Sequence, residues 1–261
     1  MINIVSWNIN SIRIRLEHIS TLEKTHRPDV ILFQETKVQD HQFPKEAMED
    51  MGYNLFIHGE KSYNGVAILS KGPIEDGIKH LPGEEDDIQS RYAECITTIN
   101  GKVIRVASVY VPNGTSVKSD RFQYKLRFFE RLNSHFINLQ KYDEPFIVGG
   151  DYNVAPENID VYNPEALNGQ LGFHIEERKR FRNILANGMY DSYRTLQPNK
   201  QEYSWWDYRA SGWSQNKGMR IDHILVNPKG SDILIESGIH KDFRSMEKPS
   251  DHVPIYCKLD S

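Results

Sequence analysis

Residues 145–156 read PFIVGGDYNVAP. Phe146, Ile147 and Val148 make a short apolar run, which predicts a strand covered on both faces. Gly149 and Gly150 follow, and then Asp151, Tyr152 and Asn153, a tripeptide that by itself reads as a turn. The same grammar recurs along the chain. INIVSWNI, DVILFQE, GVAILS, ECITTI, VIRVASVYV, DHILVN and HVPIYCKL are further β-branched runs that fit strands, and several begin or end on polar residues.

Helical patterns lie between these runs. In the segment 120–140, Phe122, Leu126, Phe129, Leu132, Phe136 and Leu139 recur every three or four residues and form one apolar stripe. Weaker helical patterns cover 12–24 and 175–187. There is no internal repeat and no Pro/Ser-rich linker. The expectation is one α/β domain over residues 1–261, with sheets buried on both sides.

Composition sets the limits on function. A hydrophobic content of 38% with 26% charged residues excludes a disordered chain. A formal net charge of -4 argues against coating nucleic acid by bulk attraction, and leaves room for a local basic face. Cys95 and Cys257 have no metal-type spacing, so a reduced, cytoplasmic protein is expected. No signal peptide and no membrane span are visible.

Polar residues collect where the apolar runs stop: Asn8 and Asn10, Gln34 and Glu35, Tyr110 and Asn113, Asp151 and Asn153, Asp222, and the pair Asp251–His252. Taken singly, each is an ordinary turn, cap or solvated strand end. Together they share one chemistry of carboxylates, amides, a tyrosine and a histidine, and strand ends in α/β folds are where sites are built. Carboxylate and amide oxygens suit Mg²⁺ or Mn²⁺, whereas Zn²⁺ sites call for His or Cys clusters that are lacking here. Several acids facing a phosphate need a cation between them, so the pattern points to metal-assisted hydrolysis at phosphorus.

The segment EYSWWDYRASGWSQNKGMRID mixes Trp205, Trp206, Tyr208 and Trp213 with Arg209, Lys217 and Arg220. Rings that stack on bases or sugars beside cations that hold phosphates suit nucleic acid. A strand pair with core tryptophans accounts for Trp206 equally well. Lys61, Tyr63, Asn64, Arg91 and Lys125 are further candidates for phosphate contacts, and each also reads as a solvated surface residue.

Eight motifs in order, SWNINSIRIR, FQETK, YNGVAILS, YVPNG, VGGDYNVAP, YSWWDYR, MRIDHIL and PSDHVPI, resemble the exonuclease III family of abasic-site endonucleases, within the DNase I-like superfamily. The resemblance spans essentially the whole chain. It implies a four-layered α/β sandwich, two mixed β-sheets packed face to face with helices outside. It implies a Mg²⁺- or Mn²⁺-dependent enzyme of base-excision repair that cuts duplex DNA 5′ to abasic sites. With that come 3′→5′ exonuclease activity, cleaning of blocked 3′ ends, and a bacterial-type monomer associated with the nucleoid when bound to DNA.

The resemblance also distributes roles. Glu35 matches the principal metal ligand, assisted by Asn8 and Asp251, with Asp151, Asn153 and His252 completing the metal set. Asp151 matches the residue that activates water and Asn153 the one that orients it. Tyr110 matches the tyrosine near the scissile phosphate, His252 the histidine on that phosphate, and Asp222 the acid orienting the histidine. Trp205, Met219 and Ile221 match the pocket for an extruded abasic sugar. Asn10 stands where some relatives have Asp, and with Asn113 it joins the DNA-contacting set. Either Asp151 or the Asp222–His252 pair serves as general base. Two other readings remain: a DNase I-like phosphoesterase with another substrate, and an inactive DNA-binding relative.

Overall fold

All eight apolar runs form interior strands in the computed structural model, which describes residues 1–209 and 211–261. The strands are β1 (Ile2–Asn8), β2 (Val30–Gln34), β3 (Asn54–His58), β4 (Val66–Ser70), β5 (Ile74–Ile78), β6 (Tyr92–Ile99) and β7 (Lys102–Tyr110). They continue with β8 (Phe146–Asp151), β9 (Tyr190–Asp191), β10 (Trp205–Trp206), β11 (Gly218–Met219), β12 (Asp222–Val226), β13 (Leu234–Ile239) and β14 (Ile255–Leu259). One six-stranded sheet has the order β13-β14-β1-β2-β4-β3 and the other β5-β6-β7-β8-β12-β9. Both are mixed, because β1 runs parallel to β2 and β7 parallel to β8 while the remaining pairs are antiparallel. Strands β10 and β11 make a separate two-stranded ribbon.

The two sheets face each other across a core that includes Ile4, Leu32 and Ile68 from one and Val106, Ile147 and Ile224 from the other. Gly149 explains part of that closeness. A Cβ there would lie 2.7 Å from Ser6 Cβ and 2.8 Å from Leu32 Cδ1, so only glycine lets the sheets approach at this point. The Gly-Gly pair in PFIVGGD is therefore mid-strand packing.

Helices cover the outer faces. Helix α1 (Leu16–His26) lays Ile19 and Leu22 on Trp7 and Phe33. Helix α2 (Asp120–Leu139) lays Phe129, Leu132 and Phe136 on Val109 and Val148, beside helix α3 (Ile175–Ala186). Ser119 caps α2 by accepting a hydrogen bond from the Phe122 amide at 3.2 Å. All six residues of the expected stripe are buried. Helix α1 starts four residues later than its pattern predicts. The amides of Ile9, Ser11 and Ile12 donate to the carbonyls of Gln34, Glu35 and Thr36, which keeps this segment out of a helix. The result is four layers, helix–sheet–sheet–helix.

Register brings the polar strand ends together. Asn8 pairs with Gln34 at the shared end of β1 and β2, and Tyr110 with Asp151 at the shared end of β7 and β8. Asp222 opens β12 directly opposite Asp151. The turn ahead of β14 adds Asp251 and His252, and the two sheets thus present their functional ends at one rim.

Candidate active site

Asn8 joins the sheets at this rim. Its amide nitrogen donates to Glu35 Oε1 at 2.8 Å and to Asp151 Oδ2 at 2.9 Å, while its oxygen accepts from the Asn10 amide at 3.1 Å. Lys37, two residues beyond Glu35, forms an ion pair with it at 2.7 Å and donates to Asn10 Oδ1 at 2.6 Å. Burial opposes ionisation of Glu35, but the Lys37 ammonium and the Asn8 amide outweigh it and hold the carboxyl below its ordinary range.

His252 is buried and its Nδ1–H donates to Asp222, 2.9 and 3.0 Å from the two oxygens. Its Nε2 faces Asp151 Oδ2 at 3.7 Å. Burial would strip the imidazole of its charge, but Asp222 and Asp151 overcome that and raise it to about 10. Asp151 moves the other way from most paired acids: burial, with repulsion from Asp222 and Glu35, pushes it up to about 7 against the pull of His252. Tyr110 lies well above the ordinary phenol value, through burial and then through Glu35 and Asp151, so it stays a neutral donor.

The turn before β14 resolves how adjacent Asp251 and His252 both reach the cleft. Ser250 Oγ accepts from the His252 amide at 3.2 Å and donates to the Asn8 carbonyl at 2.8 Å, pinning an irregular segment rather than a strand. Asp251 then accepts from Asn10 Nδ2 at 2.9 Å and Trp205 Nε1 at 3.1 Å. Burial opposes its ionisation, but His252 and these donors hold it below its usual range.

Asn153 has left-handed backbone (φ 50°), which suits Asn. Its amide nitrogen donates to the Val111 carbonyl at 2.9 Å and its oxygen accepts from Asn113 at 3.1 Å. A cleft of about 280 Å³ is lined by these groups together with Leu171, Gly172, Trp205, Met219 and Ile221. An adjoining groove of about 530 Å³ carries Tyr63, Asn64 and Arg91, and shares Tyr110 and Asn113 with the cleft. Arg91 lies 4.8 Å over the Tyr110 ring.

One expectation is corrected and one alternative is decided. Lys125 is not a phosphate contact, because it is fully buried and its ammonium is consumed by Glu177 and by the carbonyls of Asn113 and Asn153. Trp206 is fully buried in the core under α1, the strand-pair alternative given for it. Lys61 is exposed but lines neither cavity.

Sequence reading missed Ser204 and Lys37. Ser204 Oγ donates to Asp222 Oδ2 at 2.5 Å and accepts from the amides of Ile221 and Asp222 at 3.2 and 3.1 Å. A buried serine in YSWW carries no sequence signal for this. Lys37 had only its closeness in sequence to Glu35, since both residues lie past the end of β2 in left-handed backbone (φ 56° and 50°).

Glu35, Asp151 and His252 each offer a ligand atom within 4.8 Å of the others. Oxygen donors and an acid excess suit a hard divalent cation, which would supply the positive charge the side chains lack. The residues present therefore fit a metal of that class.

A family model described as the Endonuclease/Exonuclease/phosphatase family matches residues 5–252. The chain is 34% identical over 263 residues to exodeoxyribonuclease III of Haemophilus influenzae, covering 98% of each. Among solved structures, the 3′ phosphatase NExo from Neisseria, bound to product DNA hairpin, superposes with a TM-score of 0.95 at 34% identity and full coverage of both chains. An AP endonuclease from Archaeoglobus fulgidus gives a TM-score of 0.92 at 35% identity, again over both chains entirely.

Proposed function

This chain belongs to the endonuclease/exonuclease/phosphatase family, and on that premise we propose that it is an exodeoxyribonuclease III-type DNA repair hydrolase. It cuts the phosphodiester 5′ to abasic sites in duplex DNA and removes nucleotides and blocking groups from 3′ ends, using Mg²⁺ or Mn²⁺. The observation that carries this reading is the acid–histidine cluster at the rim of both sheets, opening into a cleft walled by Trp205, Met219 and Ile221. A sugar without its base costs least to extrude, and an apolar cleft beside the reacting groups accepts it.

Glu35 and Asp151, with Asn8, Asn153 and Asp251 around them, are the proposed metal residues, while His252, protonated on both ring nitrogens, is left to the phosphate rather than to the metal. When bound, the cation stabilises charge that develops on the phosphate and the leaving oxygen. His252, held protonated by Asp222, binds the scissile phosphate through Nε2–H, and Ser204 fixes Asp222 in turn. With the imidazole already carrying its proton, Asp151 is the group left to take one from the attacking water, and its value near 7 suits a general base. Asn153 orients that water. Tyr110 donates to a phosphoryl oxygen, and Asn10, Asn113, Tyr63, Asn64 and Arg91 receive the flanking strand.

The decisive assay is a duplex oligonucleotide with one abasic analogue, incubated with Mg²⁺ and then with EDTA. Cleavage 5′ to the analogue that stops in EDTA is expected. An intact duplex alongside turnover of inositol phosphates or sphingomyelin sinks the repair reading, and tight binding without cutting favours the inactive relative.

A further inference from the structure

We propose that the buried Lys125–Glu177 pair is a positioning device for the cleavage site, fixing the three loops that carry Asn113, Asn153 and Gly172. The inference rests on the functional reading above. Lys125 projects from α2 and Glu177 from α3, and both side chains are fully buried. The ammonium has three donors. One goes to the Glu177 carboxylate, one to the Asn153 carbonyl at 2.7 Å, and one to the Asn113 carbonyl at 3.2 Å. Glu177 in turn accepts the Gly172 amide at 2.9 and 3.2 Å on its two oxygens.

Each loop held in this way lines the cleft. Asn113 and Asn153 are bonded to each other through their side chains, and the Asn153 amide is bonded to Asp151 Oδ1 at 2.8 Å. Setting the two carbonyls therefore sets the amide pair next to Asp151. Gly172 has φ +81°, packs within 3.3 Å of Met219 Cε when a Cβ is placed on it, and its carbonyl accepts from the Ala155 amide at 2.8 Å. An apolar pair of like volume generally serves stability as well as a buried ion pair. What apolar side chains cannot do is hold two carbonyls and an amide in fixed directions.

The test uses the full chain with Lys125→Met and Glu177→Leu combined, which removes both charges and leaves neither partner stranded. Melting and steady-state cleavage of the abasic duplex in Mg²⁺ are measured together. Expected is a folded protein whose kcat falls by about 10–100-fold, as loops shift by a fraction of an ångström, with KM much less affected. A folded double variant that cuts at the wild-type rate overturns the proposal. Hydrogen exchange on the wild-type chain gives a second measurement that does not depend on the variant folding. The Gly172 amide is expected to be as protected as those of β8, and rapid exchange there overturns the proposal. Wild-type protein that leaves the duplex intact sinks the functional reading alone, and the Gly172 amide still judges the brace.

Discussion

Two buried acid–histidine clusters lie on either side of the start of β12, built from similar parts to opposite ends. In one, Glu35, Asp151 and Asp222 face His252 and Lys37. In the other, Asp160 and Asp191 face Arg220, with Arg194 bonded to Asp160. Arg220 meets Asp160 at 2.7 Å and Asp191 at 2.8 Å, and donates to His223 Nδ1 at 3.0 Å, while His223 Nε2–H donates to the Val154 carbonyl at 2.9 Å. The second cluster balances each acid with a guanidinium. The first leaves negative charge uncompensated at the mouth of a cleft, and that surplus is what invites a cation and a phosphate. Strand alternation divides the two: adjacent Asp222 and His223 point to opposite sheet faces, one to the cleft and the other onto Tyr152 and Phe181 under the helices.

The contrast is open to attack at several points. The largest effect is expected from Asp151→Asn, which should cut abasic-duplex cleavage by about 10²–10⁴-fold, the usual contribution of a general base. Because it removes an uncompensated buried charge, melting should hold or rise. A sharp loss of stability instead would mean that the first cluster is a brace like the second. Arg220→Met should do the converse. It strands Asp191 and leaves Asp160 with Arg194 alone, and urea titration should show a loss of about 3–5 kcal/mol.

The two clusters should also bend stability against pH in opposite directions. Burial opposes the charge on Asp160 and Asp191, but Arg220 and its neighbours hold both below the ordinary carboxylate range. Their contribution is present above the unfolded value of about 3.9 and fades as pH falls through the lower folded values. Asp151, raised to about 7, binds its proton more tightly when folded. It therefore costs stability progressively as pH rises from about 4 toward 7. Urea midpoints across this range in EDTA should show both limbs, and Asp151→Asn should flatten only the upper one. The smallest effect is stabilisation by metal. Saturating Mg²⁺ should raise the melting temperature by roughly 2–8 °C in wild type, and by less in Glu35→Gln. Equal shifts in the two proteins would place the cation elsewhere.

Legibility followed burial. Most of the eight interior strands were readable because they are covered on both faces and appear as nearly continuous apolar runs, as in β2 and β4. The strands that escaped notice in the two large sheets, β3, β5, β9 and β13, are their four edges. Edge strands mix exposed and buried residues, as in the pattern of β3, or bury none fully, as in β5, and lose the signal. The site divides in a similar way. Asp151, His252, Glu35 and Asp222 stand out as polar residues at apolar strand ends. Ser204 and Lys37 do their work by hydrogen bonds and charge to groups brought close only by folding. Lys125 was misread because a lysine on a helix is usually solvated. Only the packing of α2 against α3 shows that its partner is Glu177.

The chain's local chemistry thus determined by itself which segments are strands, which helix carries an apolar stripe, and which acids, amides and histidine end the strands. Those properties depend on residue type and spacing, and short-range sterics and hydrophobicity fix them. The tertiary structure decided which of several similar acids stay uncompensated. Asp151 and Asp191 are both buried and both close to a histidine, and no local pattern tells them apart. Asp151 meets Asn8, Glu35 and His252 from the opposite sheet, whereas Asp191 meets Arg220. Electrostatic energy depends on distances between residues far apart in the chain, so that distinction exists only in the folded molecule.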